Sequence, residues 1–295
     1  MEEIVDTSIE EKLNRGKKVK IIKTILLIIF VIVLVLLYSR YIGTKGLEIN
    51  EYPIKTTRLS EAYDGFKIVH FTDLHYGSTV TLEDVKKLVK QINNESPHLV
   101  IFTGDLIDKD VSVSETEFDK LKEELAKLNP EIETLTVKGN HDYEHDYFNK
   151  MVEELNWHFL DNTYEYIYYK SVNPIVFVGL DDLLNGNPDY TNAFSYLNEI
   201  GDDAYTIILA HEPDQIEEIS NYNFNLFLAG HSHLGQVRLP LIGSVYTPVG
   251  AKKYYDEHYK VNNADLYISG GIGTSVVKFR LLNKPSINLY RFYTK

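Results

Sequence analysis

The chain gathers acidic, amide and imidazole side chains into short clusters, each just after an apolar run. Asp73-Leu74-His75 follows FKIVHFT, and Gly104-Asp105-Leu106-Ile107-Asp108 follows HLVIFT. Gly139-Asn140-His141-Asp142 stands one residue beyond ETLTV; His211-Glu212-Pro213 follows YTIILA; Gly230-His231-Ser232-His233 follows FNLFLA. Taken singly, an Asp-x-His or a Gly-Asp after a strand is an ordinary turn. Their recurrence at five strand ends points to one site. The two histidines of the last cluster are spaced so that both rings leave the same side of an extended chain. Asp73, His75, Asp105, Asn140, His211, His231 and His233 offer the donors that a pair of divalent cations needs. Two cations ~3.5–4 Å apart take a bridging anionic oxygen, further neutral donors, and open positions for water and substrate. Mixed nitrogen and oxygen donors suit Mn²⁺, Fe or Zn²⁺ better than Ca²⁺. Cysteine is absent, which excludes thiolate ligands, thiol catalysis and disulfides.

Such a set works only if the chain brings it to one place. The β-branched, nearly continuous apolar runs at 66–72, 98–103, 133–137, 174–180, 205–210, 224–229, 265–269 and 287–293 predict strands buried on both faces. Helical patterns lie between several of them, at 82–94, with Leu82, Val85, Leu88, Val89 and Ile92 on one stripe, and at 115–129. Alternating strands and helices predict an α/β class, and the strand-rich later part favours mixed sheets packed face to face with helices outside. Sites in α/β sheets lie beyond the carboxyl ends of strands, so the five clusters converge if their strands are parallel neighbours.

Composition sets the surroundings. The 295 residues are 44% hydrophobic, enough for a large domain and an appendage, and the net charge of −13 with no basic stripe argues against a nucleic-acid partner. From Ile21 to Tyr38 the chain reads IIKTILLIIFVIVLVLLY, with Lys23 as its only charge. That is close to the ~20 residues of a spanning helix. It is apolar on every face, unlike a core helix, and no small-x-small pair follows it as in a cleaved signal peptide. Lys12, Arg15, Lys17, Lys18, Lys20 and Lys23 lie at its start, while only Arg40 and Lys45 closely follow it. The positive-inside rule therefore predicts a single-pass membrane protein with a cytoplasmic N-terminus and an extracytoplasmic C-terminal part. The expected organisation is a tail at 1–20, an anchor at 21–38, a juxtamembrane linker at 39–46 and one domain at 47–295.

In this order, D-L-H, G-D-L-I-D, G-N-H-D, H-E-P and G-H-S-H resemble the five-motif signature of the calcineurin-like metallophosphoesterases. TGDLID, GNHDY, AGHSHLGQV and LYISGGIGTS look most like the membrane-associated bacterial branch. The resemblance implies a four-layer α/β/β/α sandwich of two mixed sheets and hydrolysis of a phosphomonoester, phosphodiester or pyrophosphate at two divalent metal ions. It assigns Asp73, His75 and His233 to one metal, Asn140, His211 and His231 to the other, and Asp105 to a bridge between them. His141 would be the general acid or transition-state stabiliser, and Asp108 would hydrogen-bond His141 and hold its orientation.

Lys109 stands where the protein-phosphatase branch places a phosphate-clamping arginine, so a protein phosphatase is not expected. Arg280, after the glycine loop, is the expected extra substrate contact. His70 is expected to be structural, because strand alternation turns it away from Asp73, and His258 is a candidate pocket residue. The anchor suggests a phosphorylated small molecule or lipid near the membrane. The branch also resembles UDP-2,3-diacylglucosamine pyrophosphate hydrolases, which would require a cytoplasmic site, against the flanking charges. A scaffold that kept the fold and lost catalysis would show substitutions among the ligand positions, and none appears. Oligomeric state is not legible.

Overall fold

Every run predicted as a strand forms one in the computed structural model, which describes residues 2–295, with side chains from residue 13 onward. The first sheet holds β1 (Glu48–Lys55), β2 (Lys67–Phe71), β3 (Leu99–Phe102), β4 (Glu133–Thr136) and β5 (His158–Phe159). The second holds β6 (Thr163–Ile167), β7 (Ile175–Gly179), β8 (Tyr205–Leu209) and β9 (Leu226–Ala229). A small hairpin, β10 (Arg238–Leu239) and β11 (Gly243–Ser244), precedes β12 (His258–Val261) and β13 (Ala264–Ile268), which join the second sheet, and β14 (Ser286–Tyr293), which returns to the first. The orders are β1-β14-β2-β3-β4-β5 and β12-β13-β9-β8-β7-β6. β2, β3 and β4 are parallel neighbours, as are β7, β8, β9 and β13, while β6 and β12 run antiparallel to β7 and β13, and β14 runs antiparallel to β2 and parallel to β1.

Alternation along the strands sends one set of side chains between the sheets and the other outward. Ile68, Leu99, Ile101 and Leu135 meet Phe177, Ile207, Leu209 and Leu228 in the inner core. Outside the first sheet pack α2 (Leu82–Asn94), α3 (Glu115–Leu125) and α4 (Tyr147–Leu155), which bury Leu88, Ile92, Leu121 and Met151 against Val69, Val100 and Phe102. The second sheet is covered by short turns that bring Phe194, Tyr196, Ile216 and Ile219 onto Val176, Ile208 and Phe227. The result is four layers, α/β/β/α. α2 and α3 each begin with a capping box, from Thr81 with Asp84 and from Ser114 with Glu117, which satisfies amide groups the first turn leaves free.

α1 (Glu2–Tyr41) contains the predicted apolar segment and extends beyond it at both ends. Residues 21–38 span about 27 Å at the helical rise of ~1.5 Å per residue. All of them are exposed, so no surface among the described residues covers this apolar cylinder. Its length and composition are those of a helix able to cross a membrane. The residues after it are held: Arg280 N–H donates to Ser39 O at 2.9 Å, and Lys45 Nζ reaches Thr79 O at 3.0 Å and Asp84 Oδ2 at 2.6 Å.

Candidate metal centre

The carboxyl ends of β2, β3, β4, β8 and β9 point to one region between the sheets. There the loops continue the ladder: Asp73 N–H donates to Gly104 O at 2.9 Å and His75 N–H to Asp105 O at 3.0 Å. Asp73, His75, Asp105, His231 and His233 all have positive φ, from 41° to 63°. Non-glycine residues rarely enter this region, and their clustering at one place marks backbone strain held by the surrounding fold. Two glycines permit the approach. A Cβ at Gly104 would overlap the Gly139 amide, and one at Gly230 would overlap Thr72 Oγ1 and lie 2.5 Å from Asp73 Oδ2.

Asp105 lies at the centre. Its Oδ1 accepts from His141 N–H at 2.8 Å, and its Oδ2 faces His211 Nε2 at 3.3 Å, His75 Nε2 at 3.4 Å and His141 Nε2 at 4.0 Å. Asp73 Oδ2 accepts from His231 N–H at 3.0 Å, while its Oδ1 faces His233 Nε2 at 3.3 Å and His75 Nε2 at 3.7 Å. His211 Nδ1 donates to Thr103 O at 2.6 Å, which leaves Nε2 of the neutral ring as a lone pair aimed at Asp105. His231 Nε2 likewise donates to Val249 O at 2.7 Å and leaves Nδ1 as the free nitrogen. Nε2 of His75 and His233 are 3.2 Å apart.

This arrangement satisfies a test for bound cations. Asp73 Oδ1, Asn140 Oδ1 and His211 Nε2 are buried without a hydrogen-bond partner. Ligand atoms within 4.8 Å of one another group Asp73, His75 and His233; Asp73, Asp105 and His211; and His211, Glu212 and His231. Buried lone pairs facing one another cost free energy unless a proton or cation lies between them. Burial alone would raise the pKa of Asp73 and Asp105. The imidazoles, His233 foremost for Asp73 and His211 for Asp105, outweigh it and hold both below the usual carboxylate range. Burial likewise opposes protonation of His75 and His211, and the same two aspartates raise both above the ordinary imidazole value. The donors fit a dinuclear divalent site, where cations take the place of those protons.

Two expectations are corrected. Asp108 does not hydrogen-bond His141. Its Oδ1 is held in its own loop by Asp110 N–H at 3.0 Å, and its Oδ2 lies 3.8 Å from His75 Nδ1. His141 Nδ1 instead accepts from Lys109 N–H at 3.1 Å, so the neutral ring carries its proton on Nε2, towards Asp105. Burial lowers the His141 pKa despite the nearby Asp105. Arg280 is not offered to a substrate. It is fully buried, and its guanidinium donates to the carbonyls of Gly270, Gly271 and Gly273, with Nη2 3.3 Å from His233 Nδ1.

His70 is buried, with Nε2 2.8 Å from Thr103 Oγ1. His258 lies on the surface beside Asp265, at 2.9 Å, stacked on Tyr267. Sequence reasoning gave no role to Asp142, which accepts from the amides of Asp105 at 2.8 Å, Leu106 at 2.9 Å and Gly139 at 3.0 Å and ties two site loops together. Nor did it single out Glu212, buried beside His211 and His231, with Oε2 accepting from Leu183 N–H at 3.0 Å. Both are the acidic members of motifs already noted, G-N-H-D and H-E-P, and that was the available signal. A cavity of about 410 Å³ opens onto Asn140, His141, His231 and His233. Its outer wall is apolar, formed by Val237, Val245, Tyr246, Pro248, Val276 and Val277.

Comparison with known proteins agrees with this geometry. A Bacillus subtilis protein named as the uncharacterized metallophosphoesterase YkuE is 34% identical over 256 residues, covering 86% of this chain and 88% of that one. The Escherichia coli phosphodiesterase YaeI is 27% identical over 238 residues, covering 76% and 81%. A Danio rerio transmembrane protein with metallophosphoesterase domain is 24% identical over 278 residues, covering 90% of this chain and 61% of its own length. Residues 66–235 match the family model for calcineurin-like phosphoesterases, and the chain belongs to that family.

Proposed function

We propose that this metal-dependent phosphoester hydrolase works from the membrane surface, with α1 as its anchor and an extracytoplasmic domain. The reading of the site rests on one observation: Asp73 Oδ1, Asn140 Oδ1 and His211 Nε2 are buried without a hydrogen-bond partner among the described residues, and imidazole nitrogens lie 3.3–3.7 Å from the carboxylates of Asp73 and Asp105. Asp73, His75 and His233 would hold one cation, Asn140, His211 and His231 the other, and Asp105 would contact both. Bound there, divalent cations would polarise the phosphoryl oxygens and acidify water from a pKa of ~15.7 towards ~7. The metals remain Mn²⁺, Fe or Zn²⁺ on donor chemistry.

The protein's own groups supply the rest. His141 presents Nε2–H beside Asp105, placed to donate to an ester oxygen as charge develops on it. Asp108 Oδ2, 3.8 Å from His75 Nδ1 and beyond hydrogen-bond distance, adds negative charge behind that ring. Lys109 offers an exposed ammonium at the same loop, a point charge for a phosphate rather than a fork. The candidate bonds are a phosphomonoester, a phosphodiester or a pyrophosphate. The pyrophosphate of a lipid-linked nucleotide is the second reading, favoured by the apolar wall of the cavity.

The test is hydrolysis of a chromogenic phosphomonoester and phosphodiester with added Mn²⁺. Asp105→Ala should lose nearly all activity at unchanged expression, and full activity in that variant would refute the proposed centre.

A further inference from the structure

Two loops rim the cavity, and both turn aliphatic side chains outward. At the tip of the β10–β11 hairpin, Leu241 and Ile242 are 108% and 73% exposed, and Val276 on the facing loop is 81% exposed. Leu241 and Val276 hold φ of 68° and 62°, a backbone region that bulky and branched residues avoid. Isolated exposed aliphatics are ordinary, but Val276 lines the cavity itself with Val245, Tyr246 and Val277, and Leu241 and Ile242 stand on the hairpin that leads into Val245 and Tyr246.

The rim is one hydrogen-bonded body with the end of α1. Gln236 joins the facing loop through Ser275 O at 3.2 Å, Val277 O at 2.7 Å and Ser275 N–H at 2.9 Å. Arg238 N–H donates to Leu281 O at 2.9 Å, and Arg280 N–H, one residue earlier, donates to Ser39 O. Ser39 directly follows the apolar segment. Gly43 packs on the Arg280 carbonyl so closely that a Cβ there would overlap it. The end of the helix and the rim are therefore joined through residues 236–238 and 280–281.

We propose that this rim enters the bilayer that α1 spans and that the cavity takes the hydrocarbon chain of a membrane-resident phosphoester, presenting its headgroup phosphate to the metal ligands. This rests on the phosphoesterase reading and names its substrate class as lipid phosphoesters. In the reaction water adds its oxygen to phosphorus, the P–O bond to the leaving group breaks, and a proton passes to the departing oxygen. The continuity of the rim with α1 argues for lipid over a protein partner. Lys278, on the same loop and without an ion pair among the described residues, adds a positive charge at headgroup level in a chain of net charge −13.

The test uses the full chain in phosphatidylcholine and phosphatidylglycerol vesicles with Mn²⁺, and two esters that share a leaving group: methyl and hexadecyl p-nitrophenyl phosphate. The hexadecyl ester should be preferred. Leu241→Asn combined with Ile242→Ser should lower kcat/KM for it about tenfold or more, the order expected when one aliphatic side chain loses its apolar contact, and leave the methyl ester unchanged. Equal kcat/KM for both esters, or equal losses on both, overturns the lipid assignment and leaves the phosphoesterase standing. Hydrolysis of neither overturns the lipid assignment, and p-nitrophenyl phosphate and a dinucleoside pyrophosphate left intact as well would remove the phosphoesterase reading with it. The chain has no cysteine, so Ile242→Cys accepts a single fluorescent dye. Nitroxides on the lipid chains should quench it. Quenching by aqueous iodide alone, or shielding from both quenchers by a second protein, overturns insertion of the rim.

Discussion

Replacing Arg280 with methionine keeps the unbranched stem of a fully buried side chain and removes all its donors. Nη2 lies 2.6 Å from Gly273 O and 2.7 Å from Gly270 O, and Nε donates to Gly273 O at 3.0 Å. The loop so held supports the ligands: a Cβ at Gly271 would lie 2.8 Å from Asp73 Cβ, and one at Gly273 would lie 2.7 Å from His75 Cβ. Each carbonyl left unpaired costs roughly 1–3 kcal/mol. Removing a buried charge recovers part of that, since burial already pulls the Arg280 pKa down to about 10. The net loss should be about 3 kcal/mol, a fall in Tm of roughly 6–12 °C for a domain of this size. Groups that orient metal ligands are worth about 10–100-fold in affinity, and the loss here should fall on the cation that Asp73, His75 and His233 are proposed to hold. Thermal melts of the metal-free full chain in detergent, followed by Mn²⁺ titration calorimetry, read both effects. Arg280→Lys should be intermediate. An Arg280→Met protein that melts with the parent and binds both cations normally, but shows a raised KM, would refute the positioning role and restore a substrate contact.

Burial lowers the His70 pKa from 6.5 to about 3. Above pH 6.5 the ring is neutral in folded and unfolded chains alike; below it the unfolded chain takes a proton that the folded chain refuses down to about pH 3. The parent should therefore lose about 2 kcal/mol from this group between pH 6.5 and pH 5. Urea midpoints at the two pH values should converge in His70→Gln, and an unchanged pH slope would contradict this. His231→Ala and His233→Ala should each retain one cation, and only the first should spare the cation of Asp73 and His75. Loss of Mn–Mn coupling in both variants by electron paramagnetic resonance checks this, and retention of the coupled pair in either argues against the division. Gly230→Ala, whose Cβ would overlap Thr72 and crowd Asp73, should lose both metal binding and several degrees of Tm, and parent-like behaviour would show that the approach is not tight.

Period and punctuation made the framework legible. The apolar runs became strands, and the polar clusters fell at carboxyl ends because parallel neighbours share a direction. What stayed hidden depended on neighbours distant in sequence. β1 contains Pro53, has an alternating polar pattern and pairs only with β14, so it carries the weak signal of an edge strand. Asp108 is adjacent in motif to the loop of His141, yet the left-handed backbone at Asp105 and His75 redirects the loops and sets it behind His75. Arg280 follows a glycine loop as a substrate arm would, and only the docking of α1 and loop 270–273 around it explains its burial. The aliphatics of the hairpin tip would pass for core in the sequence. Their exposure is a property of the fold, and it is what draws attention to the membrane.

The central claim is a two-cation centre that performs hydrolysis, and Mn²⁺ titration of chelator-stripped full chain tests it most directly. The rate of phosphoester hydrolysis should rise from near zero and level off at two equivalents per chain. Full activity without metal, or a plateau at one equivalent, would contradict the account.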